Sequence, residues 1–168
     1  LTRNVESITF LSDSRGFAAF SHPPTDFFAD KAKLNLKGIK GGTDIFEFET
    51  KGAGSVVFKN LTSLADLNTE FWDSQPFSFQ MIFEGKIYEV LLWASDRRNA
   101  FMKKQHLDGR VTYKGETDLY YSIKTDGEWS NAKLLDVSEN GISELSPYLY
   151  CLCKNPLLLF ASNRNDPT

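Results

Sequence analysis

The sequence predicts an all-β protein made of about two and a half β-propeller blades, each a four-stranded antiparallel sheet, and three observations carry this prediction. Residues 117–164 resemble residues 43–97, with the same landmarks in the same order, which is typical of a repeat architecture. Aromatic residues make up 14% of the chain and include 14 phenylalanines, and such flat side chains favour strands. The second strand-like run of a repeat is apolar on both faces, as expected for a strand sandwiched between neighbouring sheets.

The landmarks of the repeat are short motifs at the ends of strand-like runs. Residues 43–46, TDIF, correspond to residues 117–120, TDLY, and residues 93–97, WASDR, correspond to residues 160–164, FASNR. A third, half-length copy lies at residues 7–21, where two runs stand in place of the first two runs of the later copies. The order of the landmarks is therefore kept while the loops between them vary in length.

The repeats predict one partial propeller that carries two insertions. The predicted boundaries are 1–63 for the first blade with an insertion at 25–42, 64–138 for the second blade with an insertion at 96–115, and 139–168 for the first half of a third blade. A propeller needs about four blades to close. We therefore expect a longer chain, a partner or a second copy to supply the remaining blades, and a start at Leu1 rather than Met fits a processed or longer chain.

Runs of apolar residues between turn residues predict the individual strands. The predicted strands are 5–11, 17–21, 44–49, 55–61, 76–83, 86–95, 118–124, 128–136, 146–153 and 157–162. The first pair is joined by a polar turn at 12–16, in which Gly16 is able to take a positive φ. Glu84-Gly85 is the strongest turn signal and predicts a tight hairpin.

Both insertions are basic and end in glycine. The insertion at 25–42 follows Pro23-Pro24, which cannot donate to a strand ladder, and we predict a long loop with a helical turn at 27–33. The insertion at 96–115 occupies the same place in the second repeat. Loops of ~18 residues inside a compact unit are more often functional than short ones.

Charge, hydropathy and cysteine usage narrow the classes of partner. A net charge of −3 creates no basic field for a phosphate backbone, so nucleic acid is not an expected partner. No apolar run approaches the ~20 residues of a membrane-spanning helix.

Cys151 and Cys153 lie two apart on one predicted strand, and we interpret them as core residues rather than a metal pair or a disulfide. We predict neither a metal site nor a cofactor.

Several motifs resemble the TolB-like, WD-repeat-like propeller repeat. The resemblance is carried by residues 144–147, ELSP, and 159–164, LFASNR, together with 117–122, TDLYYS, and 127–130, GEWS. Residues 41–46, GGTDIF, match the last element of that repeat. The chain departs from the pattern where the family has a Pro-Asp-Gly turn, and where the second unit has Asp-Ser-Gln-Pro in place of Glu-x-Ser-Pro.

The resemblance implies a place in the cell envelope. TolB-like repeats occur in envelope proteins of Gram-negative bacteria, often beside an OmpA-like peptidoglycan-binding domain, and they usually serve as binding scaffolds. By this resemblance we expect a non-enzymatic scaffold, periplasmic or associated with the outer membrane, whose partner is a protein or peptidoglycan. A fold shared with a family does not fix function, so this expectation needs a site to support it.

Acidic residues recur near the start of the innermost strands at Glu6, Asp73 and Glu144. The first interpretation is structural: each carboxylate accepts hydrogen bonds from the backbone of the adjacent blade. The alternative is a glycan-active enzyme, a glycoside hydrolase or lyase, in which Glu144 and Asp73 are the catalytic carboxylates at one mouth of the channel. Under this alternative Glu144→Gln abolishes activity and leaves the fold intact.

The basic side chains of the two insertions predict the binding site. By repeat symmetry the insertions fall on the same side of their blades and together present a positive surface for an acidic partner or a glycan. The predicted binding residues are Lys37 and Lys40 in the first insertion and Lys103, Lys104, His106 and Arg110 in the second. A solvated loop without a partner is the simpler interpretation.

Overall fold

A computed structural model describes residues 5–21, 28–35, 42–52, 58–97, 104–107, 110–113, 117–139, 142–150 and 156–164. Every regular element in these ranges is a strand, which confirms the all-β prediction. The strands are β1 (Val5–Ser12), β2 (Arg15–Phe20), β3 (Phe28–Asn35), β4 (Asp44–Thr50), β5 (Phe58–Ser63), β6 (Asp73–Phe83), β7 (Lys86–Ser95), β8 (Lys104–Leu107), β9 (Arg110–Tyr113), β10 (Asp118–Thr125), β11 (Glu128–Trp129), β12 (Lys133–Leu134), β13 (Glu144–Tyr150) and β14 (Leu157–Ser162).

The strands form two larger sheets and two hairpins. In the first sheet β1, β2, β4 and β5 follow one another as an antiparallel meander, and β3 adds to the far edge in parallel with β5. The second sheet repeats this order with β6, β7, β10 and the short β11 and β12. β13 and β14 form a third, two-stranded sheet, and β8 and β9 pair separately. No helix of the described chain is long and apolar enough to cross a membrane.

The second sheet lies between the other two, because its opposite faces pack against different neighbours. Phe17 of the first sheet shares a fully buried apolar cluster with Leu91 and Trp93 of β7. On the other face, the ring of Phe77 lies 4.7 Å from the ring of Tyr148 in β13, measured between centroids. Burial on both faces explains why β7 is a nearly continuous apolar run.

The first strands of the three sheets lie side by side. The backbone N–H of Gln75 in β6 donates to Ser7 Oγ in β1 at 2.9 Å, and the N–H of Ser146 in β13 donates to Gln75 Oε1 at 2.7 Å. Gln75 and Ser146 both adopt left-handed backbone, with φ of 54° and 53°, next to an irregularity in strand pairing. Asp-Ser-Gln-Pro in the second repeat therefore takes the same conformation as Glu-Leu-Ser-Pro in the third, in spite of its different sequence.

Two tight turns follow the sequence closely. Glu84 and Gly85 have φ of 49° and 74°, and β6 and β7 pair up to the residues that flank them, which confirms the predicted hairpin. Asp126 and Gly127 have φ of 53° and 90° between β10 and β11. Two consecutive left-handed residues match the right-handed twist of antiparallel strands, so this turn favours glycine at its second position.

The helical turn predicted at 27–33 is wrong, because β3 occupies Phe28–Asn35 and pairs with β5. An edge strand leaves a row of backbone groups unpaired, and adding a strand satisfies them better than a short isolated helix could. The second insertion contains the β8–β9 hairpin, which the sequence pattern did not reveal. Cys151 and Cys153 lie outside the described residues.

Two further predictions on the strands need correction. Gly16 lies inside β2 and has no positive φ, because the turn consists of Asp13 and Ser14. The strand predicted at 128–136 is interrupted between β11 and β12, where the hydroxyl of Ser130 accepts from Ile123 N–H at 3.2 Å and so replaces a backbone acceptor. A serine side chain that bonds to nearby backbone competes in this way with a strand ladder.

Candidate functional site

The same hydrogen bonds join each pair of neighbouring sheets. The backbone N–H of Asp73, which begins β6, donates to Thr43 O at 2.9 Å, and the N–H of Glu144, which begins β13, donates to Thr117 O at 2.8 Å. The residue before each acid forms a matching bond within its own sheet. Trp72 N–H donates to Asp96 Oδ1 and Ser143 N–H donates to Asn163 Oδ1, each at 2.8 Å. We call each such set a junction.

Each junction contains a buried carboxylate held by an arginine of its own sheet. Arg97 binds Asp73 Oδ1 and donates to Leu67 O at 2.7 Å. Arg164 lies 3.2 Å from Glu144 Oε1 and donates to Val137 O at 2.8 Å. The paired landmarks 93–97 and 160–164 therefore recur because their arginines neutralise the acid that begins the preceding strand of the hairpin.

Asp73 is completely satisfied in its junction. Its Oδ2 accepts from the N–H and the hydroxyl of Thr69, both at 2.7 Å, and its Oδ1 also accepts from Trp93 Nε1 at 3.3 Å. The guanidinium of Arg97 lies over the rings of Trp93 and Tyr120, with centroid distances of 5.2 and 4.7 Å. Such cation–π contacts fix the guanidinium beside the carboxylate.

Glu144 is less well satisfied. The residue is fully buried, and its Oε2 has no hydrogen-bond partner among the described residues. Burial raises the pKa of the Glu144 carboxyl above its usual value of 4.5, and the hydrogen bond and positive charge of Arg164 oppose this change. Asp118 and Glu139 add to the increase through their negative charges.

This raised pKa predicts a pH dependence of stability. The folded chain holds the Glu144 proton more tightly than the unfolded chain, so the stabilising contribution is full below the unfolded pKa and is lost as the pH rises through the folded pKa. Glu144→Gln cannot titrate. We therefore expect the free energy of unfolding of the wild type, minus that of Glu144→Gln, to decrease between about pH 4 and about pH 8 in urea denaturation. A difference that stays constant over this range would contradict the prediction.

Glu6 does not occupy the position of Asp73 and Glu144. Val5 pairs with Phe20, as Asp73 pairs with Ser95, so Glu6 lies one position further along its strand. Its exposed carboxylate instead accepts from three side chains of neighbouring strands. These donors are Thr43 Oγ1 at 2.7 Å, Trp72 Nε1 at 2.7 Å and Ser74 Oγ at 3.1 Å. Glu6 therefore ties β1 to the next sheet rather than completing an arginine junction.

The candidate catalytic residues Asp73 and Glu144 are thus both buried and both paired with arginine. Neither side chain is exposed, so a glycan cannot reach either carboxylate without opening a junction. These bonds support a structural role for the two acids, but the predicted partner is wrong. Each carboxylate accepts from an arginine of its own sheet, and Asp73 also from Thr69, rather than from the backbone of the adjacent blade. The enzymatic alternative stays a prediction, which a hydrolysis assay can test.

A cavity of about 480 Å³ lies at the ends of the strands, where the junctions meet; we call it the junction pocket. It is lined by Gly42, Glu70, Phe71, Trp72, Asp96, Thr117 and Leu145. Gly42 directly precedes the first junction, whereas Asp96 begins the second insertion and Thr117 follows it. The last residue of the first insertion and the two ends of the second therefore lie beside the same cavity.

The junction pocket combines apolar walls with a buried carboxylate. Asp96 is 7% exposed, and burial chiefly raises the pKa of its carboxyl; the hydrogen bond from Trp72 N–H opposes this, while the charge of Asp73 adds to it. Thr117 Oγ1 is buried without a hydrogen-bond partner among the described residues. The pocket therefore offers the carboxylates of Asp96 and Glu70 and one hydroxyl beside the rings of Phe71 and Trp72.

Half of the six predicted binding residues lie outside the described residues. Lys37, Lys40 and Lys103 fall outside the described residues. Lys104 and His106 belong to β8 and Arg110 to β9, where the backbone of Leu107 pairs with that of Arg110. Among the described residues, no group of three or more His, Cys, Asp or Glu side chains could hold a metal ion.

Sequence reasoning missed the junction pocket, because its lining residues come from the ends of several different strands. The only signal was the repeated motif around Asp96. A scan against protein-family models matched no family, and searches of curated proteins and of solved structures found no match either. The TolB-like resemblance therefore stays a prediction that rests on the motifs alone.

Proposed function

We propose that this chain is part of a β-propeller of the TolB-like kind and acts as a non-enzymatic binding scaffold of the bacterial cell envelope. Two meanders of the same strand order, and a hairpin that repeats the first two strands, support the blade assignment. Their first strands lie side by side while their faces pack on one another, as the innermost strands of neighbouring blades do.

The junction pocket is the observation that carries the binding role. A partly exposed pair of aromatic side chains, Phe71 and Trp72, stands beside the carboxylate of Asp96, and Glu70 adds a second acid at the rim. Aromatic faces attract cations, and a carboxylate binds an ammonium or guanidinium with a charge-assisted hydrogen bond. The chemistry of the pocket therefore suits a cationic group of the partner, such as an amine of a peptide.

Peptidoglycan fits both parts of the predicted surface. Its stem peptides carry amines, which suit the junction pocket, and carboxylates, which suit the basic side chains of the two insertions. Among partner classes, we favour a peptidoglycan stem peptide or a protein segment with the same two charges. Binding of a neutral glycan strand alone would not use Asp96.

Isothermal titration calorimetry with soluble peptidoglycan fragments tests this proposal. We expect Asp96→Asn to weaken binding by roughly tenfold, because one charge-assisted hydrogen bond is lost. Asn163 fills the corresponding junction position in the third sheet, so asparagine can keep the bond to Trp72 N–H and preserve the fold. Asp66→Asn, an exposed substitution of the same type, is the matched control and should bind like the wild type. Equal binding by Asp96→Asn and Asp66→Asn, or no binding by the wild type, would rule the proposal out.

The binding should also depend on pH through Asp96. A cation binds the ionised carboxylate, whose pKa is raised above its usual 3.8 by burial and by the charge of Asp73, with Arg97 opposing. We therefore expect affinity to increase as the pH rises through this raised pKa and to level off above it. Asp96→Asn should lose this part of the pH profile, and a profile unchanged by the substitution would count against the pocket.

The same fragments distinguish scaffold from enzyme. If the chain is glycan-active, incubation should release new reducing ends, or unsaturated products for a lyase, and Glu144→Gln should abolish the release. We expect no turnover by either protein, because the carboxylates of Glu144 and Asp73 are buried and bound to arginine.

A further inference from the structure

The β6–β7 hairpin extends beyond the rest of the second sheet. The pairing of β7 with β10 ends where Glu89 lies opposite Lys124. Past that point the hairpin continues with three pairs, Met81 with Tyr88, Ile82 with Ile87 and Phe83 with Lys86, and then turns at Glu84-Gly85. We call residues 81–88 the hairpin tip. It lies at the end of β6 and β7 opposite to the junctions, since Asp73 and Ser95 pair at the other end.

The hairpin tip carries an exposed apolar patch. Ile82 and Ile87 are 74% and 65% exposed, more than any other large apolar side chain of the described residues. Opposite residues of an antiparallel pair project from the same face of a sheet, so these two side chains form one patch, which we call the isoleucine patch. Phe83 and Met81 are exposed on the other face of the hairpin. Contiguous exposed apolar side chains of this kind mark interaction surfaces.

The exposure of the isoleucine patch does not depend on a missing blade. The first sheet already packs on one face of the second sheet, and the third sheet packs on the other. On the face that carries the patch, the next residue of β7, Glu89, is buried and bound to Arg15 of the first sheet. A further blade would therefore pack on the first or the third sheet and not on this hairpin.

Two opposite charges lie at the end of the hairpin tip. Glu84 and Lys86 flank Gly85; both are exposed, and neither belongs to an ion pair among the described residues. Because Glu84 forms the end of the tip, insertion into lipid would bury its charge without a partner, which is costly. The tip instead suits a protein surface that carries an apolar patch and both signs of charge. The tip of a second copy, turned about a two-fold axis, is such a surface, because Glu84 of each copy then faces Lys86 of the other.

We propose that two copies of this chain associate through their hairpin tips. The isoleucine patches pack together on a two-fold axis, and Glu84 of each copy pairs with Lys86 of the other. Interfaces in which both copies use the same patch are the commonest kind in homo-oligomers. The tip has eight residues, fewer than the ~20–30 that a standard interface takes from each side, so we expect a weak, reversible dimer. The junction pockets lie at the far ends of the strands and stay open, so the dimer and the proposed ligand binding can be tested separately.

Sedimentation-velocity ultracentrifugation of the full chain over a concentration series tests this proposal. We expect monomers that convert reversibly to dimers as the concentration rises. Glu84→Lys and Lys86→Glu should each weaken the dimer at least tenfold, because like charges then meet across the axis. An equimolar mixture of the two variants should restore association, since one tip then carries two lysines and the other two glutamates. Ile87→Ser should also weaken the dimer at least tenfold, because it removes apolar contact at the axis.

Asp126→Lys is the matched control. Asp126, like Glu84, is exposed, has a positive φ and precedes the glycine of a hairpin turn, and its substitution changes the net charge by the same amount. This variant should dimerise like the wild type. A wild type that stays monomeric at every concentration, a dimer unaffected by both Glu84→Lys and Lys86→Glu, or a mixture without restored association would overturn the proposal. Monomers that instead co-sediment with phosphatidylethanolamine–phosphatidylglycerol vesicles would assign the tip to lipid and also overturn it.

Discussion

Replacing Asp73 with alanine is expected to destabilise the folded chain by about 3–5 kcal/mol, because it leaves Arg97 without its buried counter-ion. The substitution also removes the acceptor of Thr69 N–H, which then lies unpaired at the start of β6. The Asp73 side chain is fully buried, so water cannot take its place without opening the contact between the first two sheets. Urea denaturation followed by tryptophan fluorescence would measure the loss.

Asp66→Ala is the matched control for this prediction. Asp66 is exposed in the turn after β5, and an exposed substitution of this kind usually changes stability by less than about 0.5 kcal/mol. Asp73→Asn should fall between the two, because it keeps an acceptor but loses the negative charge opposite Arg97. If Asp73→Ala were no more harmful than Asp66→Ala, the junction would not hold the sheets together.

The junctions explain why particular positions of the sequence repeat recur. Arg97 and Arg164 recur because each neutralises a buried acid, whereas the bonds to the carbonyls of Thr43 and Thr117 need only the backbone. Matching motifs could identify the two arginines, since their ion pairs demand a particular side chain. The motifs could not reveal that Glu6 lies one position beyond the place that Asp73 and Glu144 occupy on their strands. An offset of one residue hardly changes the composition or the spacing of a motif.

Local turn chemistry and apolar runs predicted most strands, whereas elements that depend on a distant neighbour were missed. Gly85 favours the hairpin at Glu84-Gly85, because the turn needs left-handed backbone and glycine adopts it easily. The sequence of β3 has no comparable signal, and the strand forms against the edge of β5. The junction pocket was unpredictable for the same reason: Gly42 and Leu145 lie far apart in sequence and line one cavity only after three sheets pack together.

Gly16→Ala is expected to be the most damaging of the small substitutions, although Gly16 has no unusual φ. An added Cβ would lie 2.1 Å from Thr9 O and 2.7 Å from the ring of Phe48. The carbonyl oxygen belongs to the neighbouring strand and cannot move without breaking the pairing of β1 with β2. We expect a loss of about 3 kcal/mol or more, at the upper end of what overpacking costs.

Gly127→Ala measures the cost of left-handed backbone strain alone, without the steric clash that an added Cβ meets at Gly16. Gly127 has a φ of +90° in an exposed turn, and nothing lies within 4 Å of an added Cβ, so only the left-handed strain of about 1–2 kcal/mol should appear. Hydrogen exchange of the β1 amides adds a local measurement: Gly16→Ala should accelerate it strongly, whereas Gly127→Ala should not. Equal losses of stability and equal exchange in the two variants would mean that β1 tolerates displacement from β2. In that case β1 would not be the fixed inner strand to which Gln75 of the second sheet is anchored through Ser7.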